Sequence, residues 1–150
     1  MLSYQDSFSQ TTLREAITEL RIAAGEENLA GNLSPEMQAA IDAHDVVHVI
    51  FGCDTSVQDE VVAHAYMLLG TTVKMSELKR TANHREHRQM AADAGHAKML
   101  GVAIQSLPRL FKAVLSTLRM KKRFPWENYQ KYLDRRLMDV RNEFGIRVSN

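Results

Sequence analysis

Apolar residues recur three and four positions apart along most of the chain, which is the spacing of amphipathic helices. This pattern predicts a first helix over 12–24. A Ser-Pro-Glu start at Ser34 predicts a second helix that runs to about residue 51. Serine caps a helix, proline fits its first position, and an acid suits its positive end. A third helix is predicted over 56–69, after a Thr-Ser pair that can cap it.

Helical spacing continues in the second half of the chain. A mostly polar helix is predicted over 75–95, a basic amphipathic helix inside 94–126, and a last helix over 126–144 that Gly145 ends. No segment has the sustained alternation of a strand. The sequence therefore predicts an all-α fold, with 1–150 forming a single-domain bundle of about six helices joined by short links.

Composition is that of an ordinary globular domain, with 45% hydrophobic and 25% charged residues. The single cysteine, Cys53, excludes an internal disulfide, and we expect it to be structural rather than nucleophilic. The first twelve residues are polar, without a basic start or an apolar run, so no signal peptide is expected. Inside the candidate helices the longest uncharged stretch, 61–73, is too short to cross a bilayer.

Charge is distributed very unevenly. Residues 1–73 hold eleven acids and two bases (−9), whereas residues 74–150 hold seven acids and seventeen bases (+10). Seven of these bases lie in 94–126, which contains no acid and interleaves apolar residues at helical spacing before Phe124 and Trp126. This pattern is typical of a helix on an anionic membrane surface. The alternative is a core helix with a basic outer face. Nucleic acid is not an expected partner, because the apolar stripe is broad and no reading motif is present.

The most informative motif is His44-Asp45-Val-Val-His48, followed after eleven residues by Glu60. Side chains four apart on a helix lie one above the other, so both imidazoles can reach one point, with Asp45 beside that face. A break over 51–56 would let Glu60 fold back towards them. Two imidazoles and one or two carboxylates suit zinc or another divalent metal. The alternative is a pair of buried core histidines on an amphipathic helix.

Three other histidines carry weaker signals. His64 lies one turn beyond Glu60 and could be a further ligand, a proton relay or a packed side chain. His84 and His87 are three positions apart, but they belong to a run of charged residues that is typical of a solvated face.

The central and carboxyl-terminal stretches resemble the Coq-four family of ubiquinone (coenzyme Q) biosynthesis. The hallmark of that family, HDxxH followed after eleven residues by Glu, is matched by His44, Asp45, His48 and Glu60. The carboxyl-terminal stretch is similar as well, through Tyr129, Tyr132, Arg135, Arg136, Leu137, Arg141, Glu143, Gly145 and Ile146. The resemblance covers about residues 37–150, with a weakly matching middle.

The resemblance implies a helical protein that binds a divalent metal, most often zinc. His44, Asp45, His48 and Glu60 would be the metal ligands or their immediate partners, with Glu60 and Asp45 as catalytic groups. The implied activity is oxidative removal of the ring carboxylate from a polyprenylated quinone precursor. The implied partners are other ubiquinone-biosynthesis proteins, assembled at an anionic membrane surface. The expected location is cytoplasmic, peripherally associated with the inner face of the membrane.

Two other functions are considered. The first is a non-catalytic scaffold that binds an isoprenoid lipid for the biosynthetic enzymes. The second is an HD-type metal phosphohydrolase, because His44-Asp45 is an HD pair. That class needs a metal-binding histidine well upstream, and no histidine precedes His44, which argues against it.

Overall fold

The structure is a computed structural model that describes residues 2–25, 34–77, 101 and 104–148. Its helices are α1 (Leu13–Ala24), α2 (Pro35–Phe51), α3 (Val57–Gly70), α4 (104–118) and α5 (Leu137–Phe144), with 3₁₀-helices at Ser3–Gln5 and Tyr129–Tyr132 and a helical turn at 75–77. Within these ranges there is no β-strand, so the predicted all-α bundle is confirmed. Beyond residue 77, the helix predicted over 75–95 lies outside the described residues.

The first three helices begin and end where their capping residues predict. The side chains of Thr12, Ser34 and Ser56 each accept a hydrogen bond from a backbone N–H in the first turn. Gly25 and Gly52 close α1 and α2 in the left-handed conformation, with φ of 73° and 75°. These predicted boundaries are confirmed because a helix cap depends on the residues next to it in the sequence.

The prediction of a single helix over 126–144 is wrong. The chain forms a 3₁₀-turn, leaves the helical conformation before Arg136, and re-enters it as α5. The non-helical segment lies against the start of α1. There the N–H of Leu13 donates to the carbonyl of Arg135 (3.0 Å), and the N–H of Arg14 donates to the carbonyl of Leu133 (2.9 Å). The first N–H groups of a helix have no partner inside it, so this break satisfies donors of α1.

The core lies between α1, α2, α3, α5 and the two ends of the described chain. Its largest fully buried apolar side chains are Tyr4, Leu13, Val46, Val47, Val49, Ile50, Met67, Phe124, Leu137 and Phe144. The polar amino-terminal stretch is thus part of the core through Tyr4, whose hydroxyl donates to the Cys53 carbonyl at 3.1 Å. Arg141 is also buried, with 2% of its surface exposed.

The hairpin of α2 and α3 positions the site described below. Its five-residue link begins at Gly52, and the Phe51 and Tyr66 rings stack with centroids 4.2 Å apart. At the end of α3, a Cβ on Gly70 would lie 2.6 Å from the Phe51 ring. Glycine therefore lets the end of α3 approach α2 closely, which holds the two helices together across the link.

Helix α4 turns its large apolar side chains outwards. Ile104, Leu107, Phe111 and Leu118 are 57–76% exposed. Ser106 and Ala113, on the other side of the helix, are buried. The apolar stripe of the described part of α4 therefore lies outside the core. No helix in the described ranges is long and apolar enough to cross a membrane.

Candidate metal centre

Side chains from α2 and α3 converge between the two helices. His44 and His48 lie on one face of α2, with ring centroids 4.6 Å apart. Glu60, in the first turn of α3, faces them: its Oε1 lies 3.2 Å from His48 Nε2 and its Oε2 lies 3.8 Å from His44 Nε2. One donor atom from each residue lies within 4.8 Å of the others. The structure thus brings together three of the four predicted site residues.

The hydrogen bonds of His48 define which nitrogen faces Glu60. Its Nδ1 lies 2.9 Å from the backbone carbonyl of Asp54. A carbonyl oxygen only accepts, so Nδ1 carries the proton and donates. In the neutral imidazole the Nε2 atom then holds a lone pair directed at the Glu60 carboxylate. This nitrogen is buried, with the whole residue only 1% exposed.

Two acceptors that face each other at 3.2 Å in a buried place need a positive charge between them. Either a proton on His48 or a cation shared by both groups supplies it. Zinc bonds of about 2.0–2.2 Å place the donor atoms of a tetrahedral site about 3.3–3.5 Å apart. The spacings of 3.2 and 3.8 Å are close to that requirement. His44, His48 and Glu60 therefore supply three donor atoms whose spacing fits a zinc-like ion.

A proton and a metal ion would compete for Nε2 of His48. Burial alone lowers the pKa of His48, but the Glu60 carboxylate, helped by Asp45 and the Asp54 carbonyl, outweighs burial and raises the pKa above its ordinary 6.5. The imidazolium form offers no lone pair to a metal. We expect metal affinity to fall as the pH drops through this raised pKa, by about tenfold per pH unit below it. Zinc titrations from pH 8 to 5 check this; affinity that stays flat would exclude histidine ligands.

The structure does not bring Asp45 to the other three residues. Its carboxylate pairs with Arg21 of α1 at 2.7 Å, and the same guanidinium holds Asp42 at 2.6 Å. Positions 44 and 45 differ by about 100° around a helix, which turns Asp45 towards α1 while His44 faces α3. Burial raises the pKa of Asp45, and Arg21 only partly offsets this. Asp45 therefore ties α2 to α1 beside the metal centre, as an immediate neighbour of the site.

The substitution Asp45→Asn separates a ligand role from this structural role. Asparagine has nearly the same shape as aspartate but carries no charge, so its bond to Arg21 is weaker. We expect the free energy of unfolding to fall by about 1–3 kcal/mol. Zinc affinity should change by less than about threefold, because losses of about 10–100-fold are expected only for a group that holds a metal-binding side chain directly. Calorimetric zinc titration and denaturant unfolding measure both quantities. A loss of affinity of about 100-fold or more would restore Asp45 as a ligand.

His64 lies next to the centre but outside the group of three. Its Nδ1–H donates to the Glu60 carbonyl at 2.8 Å, and its ring centroid lies 5.3 Å from that of His44. His84 and His87 fall outside the described residues.

Cys53 is buried in the link after α2, and burial raises the pKa of its thiol, with nearby carboxylates adding to the effect. The thiol is therefore neutral near pH 7 and away from nucleophilic chemistry.

Sequence reasoning missed Asp54, Asp59 and Arg21. Asp54 acts through its backbone carbonyl, which leaves no signal in the pattern of side chains. Arg21 and Asp59 lie on helices that the sequence predicts, but helical spacing does not indicate which residues their charges pair with. No family model, curated protein or solved structure matches this chain.

Proposed function

We propose that this chain is a divalent-metal protein of ubiquinone biosynthesis that acts on a polyprenylated quinone precursor, with zinc as its metal. The observation that carries the metal assignment is the buried lone pair of His48 aimed at Glu60, with His44 beside them. The assignment to ubiquinone biosynthesis rests on the resemblance of the HDxxH-and-Glu motif and of the carboxyl-terminal stretch. The reaction we propose is oxidative removal of the ring carboxylate.

The residues present suit this chemistry. A divalent ion held by His44, His48 and Glu60 supplies positive charge that binds the ring carboxylate or a ring oxygen and offsets negative charge on the ring. Glu60 has two carboxylate oxygens, so one can hold the ion while the other takes or returns a proton. The reaction balances with dioxygen as the oxidant: the ring carboxylic acid, dioxygen and water give the hydroxylated ring, carbon dioxide and hydrogen peroxide. The catalytic role of Asp45 stays a prediction.

Turnover on a soluble, short-chain prenylated hydroxybenzoate tests the proposal. Zinc-loaded protein in air should release carbon dioxide and form the hydroxylated ring, as followed by mass spectrometry, and His48→Ala should form none. Val46→Ala, which shortens a buried neighbour on the same helix, controls for loss of stability. Binding of the lipid without turnover would favour the non-catalytic scaffold. If the protein neither binds nor turns over the compound, the quinone assignment is wrong and only the metal-site proposal remains.

The outward face of α4 supports an anionic membrane as a partner. Its exposed apolar side chains lie on one helix face, and the exposed bases Lys112 and Arg119 border that face. No acid occurs in 94–126. A broad apolar face with basic edges matches the interface of an anionic leaflet, where acyl chains meet negative headgroups. A precursor with a long prenyl tail resides in that leaflet, so the two proposals agree.

Binding to lipid vesicles tests this surface. Wild-type protein should sediment with phosphatidylglycerol-containing vesicles and be released by salt. Removing both bases with Lys112→Gln and Arg119→Gln should weaken binding by about 30-fold, since each base near such a surface contributes about 1 kcal/mol. Lys131→Gln with Arg136→Gln removes the same charge at exposed positions outside α4 and should change little. Equal binding to neutral and anionic vesicles, or none to either, would contradict the assignment.

A further inference from the structure

A chain of hydrogen bonds leads from His48 to α4. The His48 Nδ1–H donates to the Asp54 carbonyl at 2.9 Å. The Asp54 N–H donates to Asp59 Oδ2, also at 2.9 Å. The other oxygen of Asp59 accepts from Arg109 Nη1 of α4 at 2.6 Å. Both oxygens of the Asp59 carboxylate are therefore used, one for the link after α2 and one for α4.

The residues of this series of hydrogen bonds differ in exposure to solvent. The His48 side chain is 2% exposed, the Asp59 side chain is 15% exposed, and that of Arg109 is 57% exposed. Asp59 therefore sits at the boundary between the buried metal centre and solvent. Arg109 closes the chain from the outside and neutralises a carboxylate that lies one residue before Glu60.

We infer that Asp59, held in place by Arg109, is a positioning residue for the metal ligand His48, an inference that rests on the proposed metal site. Holding the N–H of Asp54 fixes the turn that directs the Asp54 carbonyl at the imidazole. That carbonyl keeps the proton on Nδ1 and the lone pair on Nε2, where the metal needs it. The acceptor that holds the other ring N–H of a metal-binding imidazole contributes about 10–100-fold to metal affinity. Here that acceptor is the Asp54 carbonyl, and Asp59 holds it in place.

The same series of hydrogen bonds connects the metal centre to α4, the helix with the exposed apolar face. Arg109 and Lys112 belong to α4, and with Asp54 and Asp59 they line a cavity of about 520 Å³ next to the link. An event that draws Arg109 away from Asp59 removes one of the two bonds that orient the carboxylate. Asp59 thus links α4 to the turn beside the metal centre.

Two substitutions of Asp59 separate a hydrogen bond from a charge. Asp59→Ala removes the acceptor and should lower zinc affinity by at least about tenfold. Asp59→Asn also removes the charge, but its amide oxygen still accepts the Asp54 N–H, so affinity should stay within about threefold of wild type. Arg109→Gln keeps both carboxylate oxygens of Asp59, so its effect should be no larger than that of Asp59→Asn. If Asp59→Asn loses as much affinity as Asp59→Ala, the positioning role is overturned.

Matched controls come from elsewhere in the chain. Asp139→Ala removes an exposed first-turn acid from α5, and so tests the general cost of losing such an acid. Arg14→Gln removes an exposed arginine–aspartate pair of similar length, with Asp134. Both variants should bind zinc as the wild type does. An Asp59→Ala variant with the affinity of Asp139→Ala would overturn the inference.

Nuclear magnetic resonance of the metal-free protein separates this inference from the proposed function. In long-range proton–nitrogen spectra recorded at a pH at which the His48 imidazole is neutral, wild-type His48 should be the Nδ1–H tautomer, Asp59→Asn should retain it, and Asp59→Ala should lose it. The same tautomer in all three proteins would overturn the positioning role even if zinc binds. A wild type that binds no zinc would overturn the proposed metal site and the effect on affinity, and the spectra would still decide whether Asp59 orients His48.

Discussion

Replacing Arg141 by methionine is expected to destabilise the protein by about 3–5 kcal/mol, because it removes a buried guanidinium that donates to four backbone carbonyls. The guanidinium donates from Nε to the Ile50 carbonyl (2.9 Å) and from its terminal nitrogens to the carbonyls of Asp6 (2.8 Å), Val49 (2.8 Å) and Tyr4 (2.5 Å). Burial lowers the pKa of Arg141 to about 10, so it remains charged at pH 7.

The position of these carbonyls explains the size of the effect. Val49 and Ile50 lie in the last turn of α2, the negative end of that helix, where a cation is favourable. The Tyr4 and Asp6 carbonyls join the amino-terminal stretch to the same charge. Arg141 therefore ties three parts of the chain together at the end of α2, close to the turns that carry His44 and His48.

Thermal unfolding measures this prediction. A loss of about 3–5 kcal/mol should lower Tm by roughly 6–20 °C in a chain of this size. Arg141→Lys keeps the charge but not the planar set of donors, so it should fall between wild type and Arg141→Met. Arg14→Met removes an exposed pair and should cost less than about 1 kcal/mol. An Arg141→Met protein as stable as Arg14→Met would contradict the network.

Replacing His48 by alanine is expected to lower zinc affinity by at least about 100-fold, because one of three protein ligands is lost. Val46→Ala, at another buried position of α2, should destabilise the fold without changing zinc affinity. Calorimetric zinc titration of both variants, with helicity from circular dichroism, measures the difference. If His48→Ala is helical and binds zinc as tightly as wild type, His48 is not a ligand.

The sequence predicts the first three helices and the approach of His44, His48 and Glu60 to one another, because both depend on local signals. Capping residues define where α1, α2 and α3 start, and the spacing of His44 and His48 puts them on one helix face. The glycine after α2 then makes the turn that brings Glu60 back. None of these inferences needs a long-range contact.

What the sequence does not predict depends on contacts between distant segments. The break before α5 exists because its carbonyls serve the first turn of α1, which no local pattern encodes. A buried arginine has the same sequence signature as an exposed one, so Arg141 was not distinguished from its neighbours. Helical spacing places the apolar residues of α4 on one face but does not say whether that face is inside or outside.

The metal content of the wild-type protein tests the central claim most directly. After reconstitution with zinc and removal of excess ion, the protein should hold one zinc per chain. X-ray absorption should then show nitrogen and oxygen neighbours at about 2.0–2.2 Å, including two imidazoles. Protein that retains no zinc, or zinc whose absorption spectrum lacks two imidazoles, would contradict a centre formed by His44, His48 and Glu60.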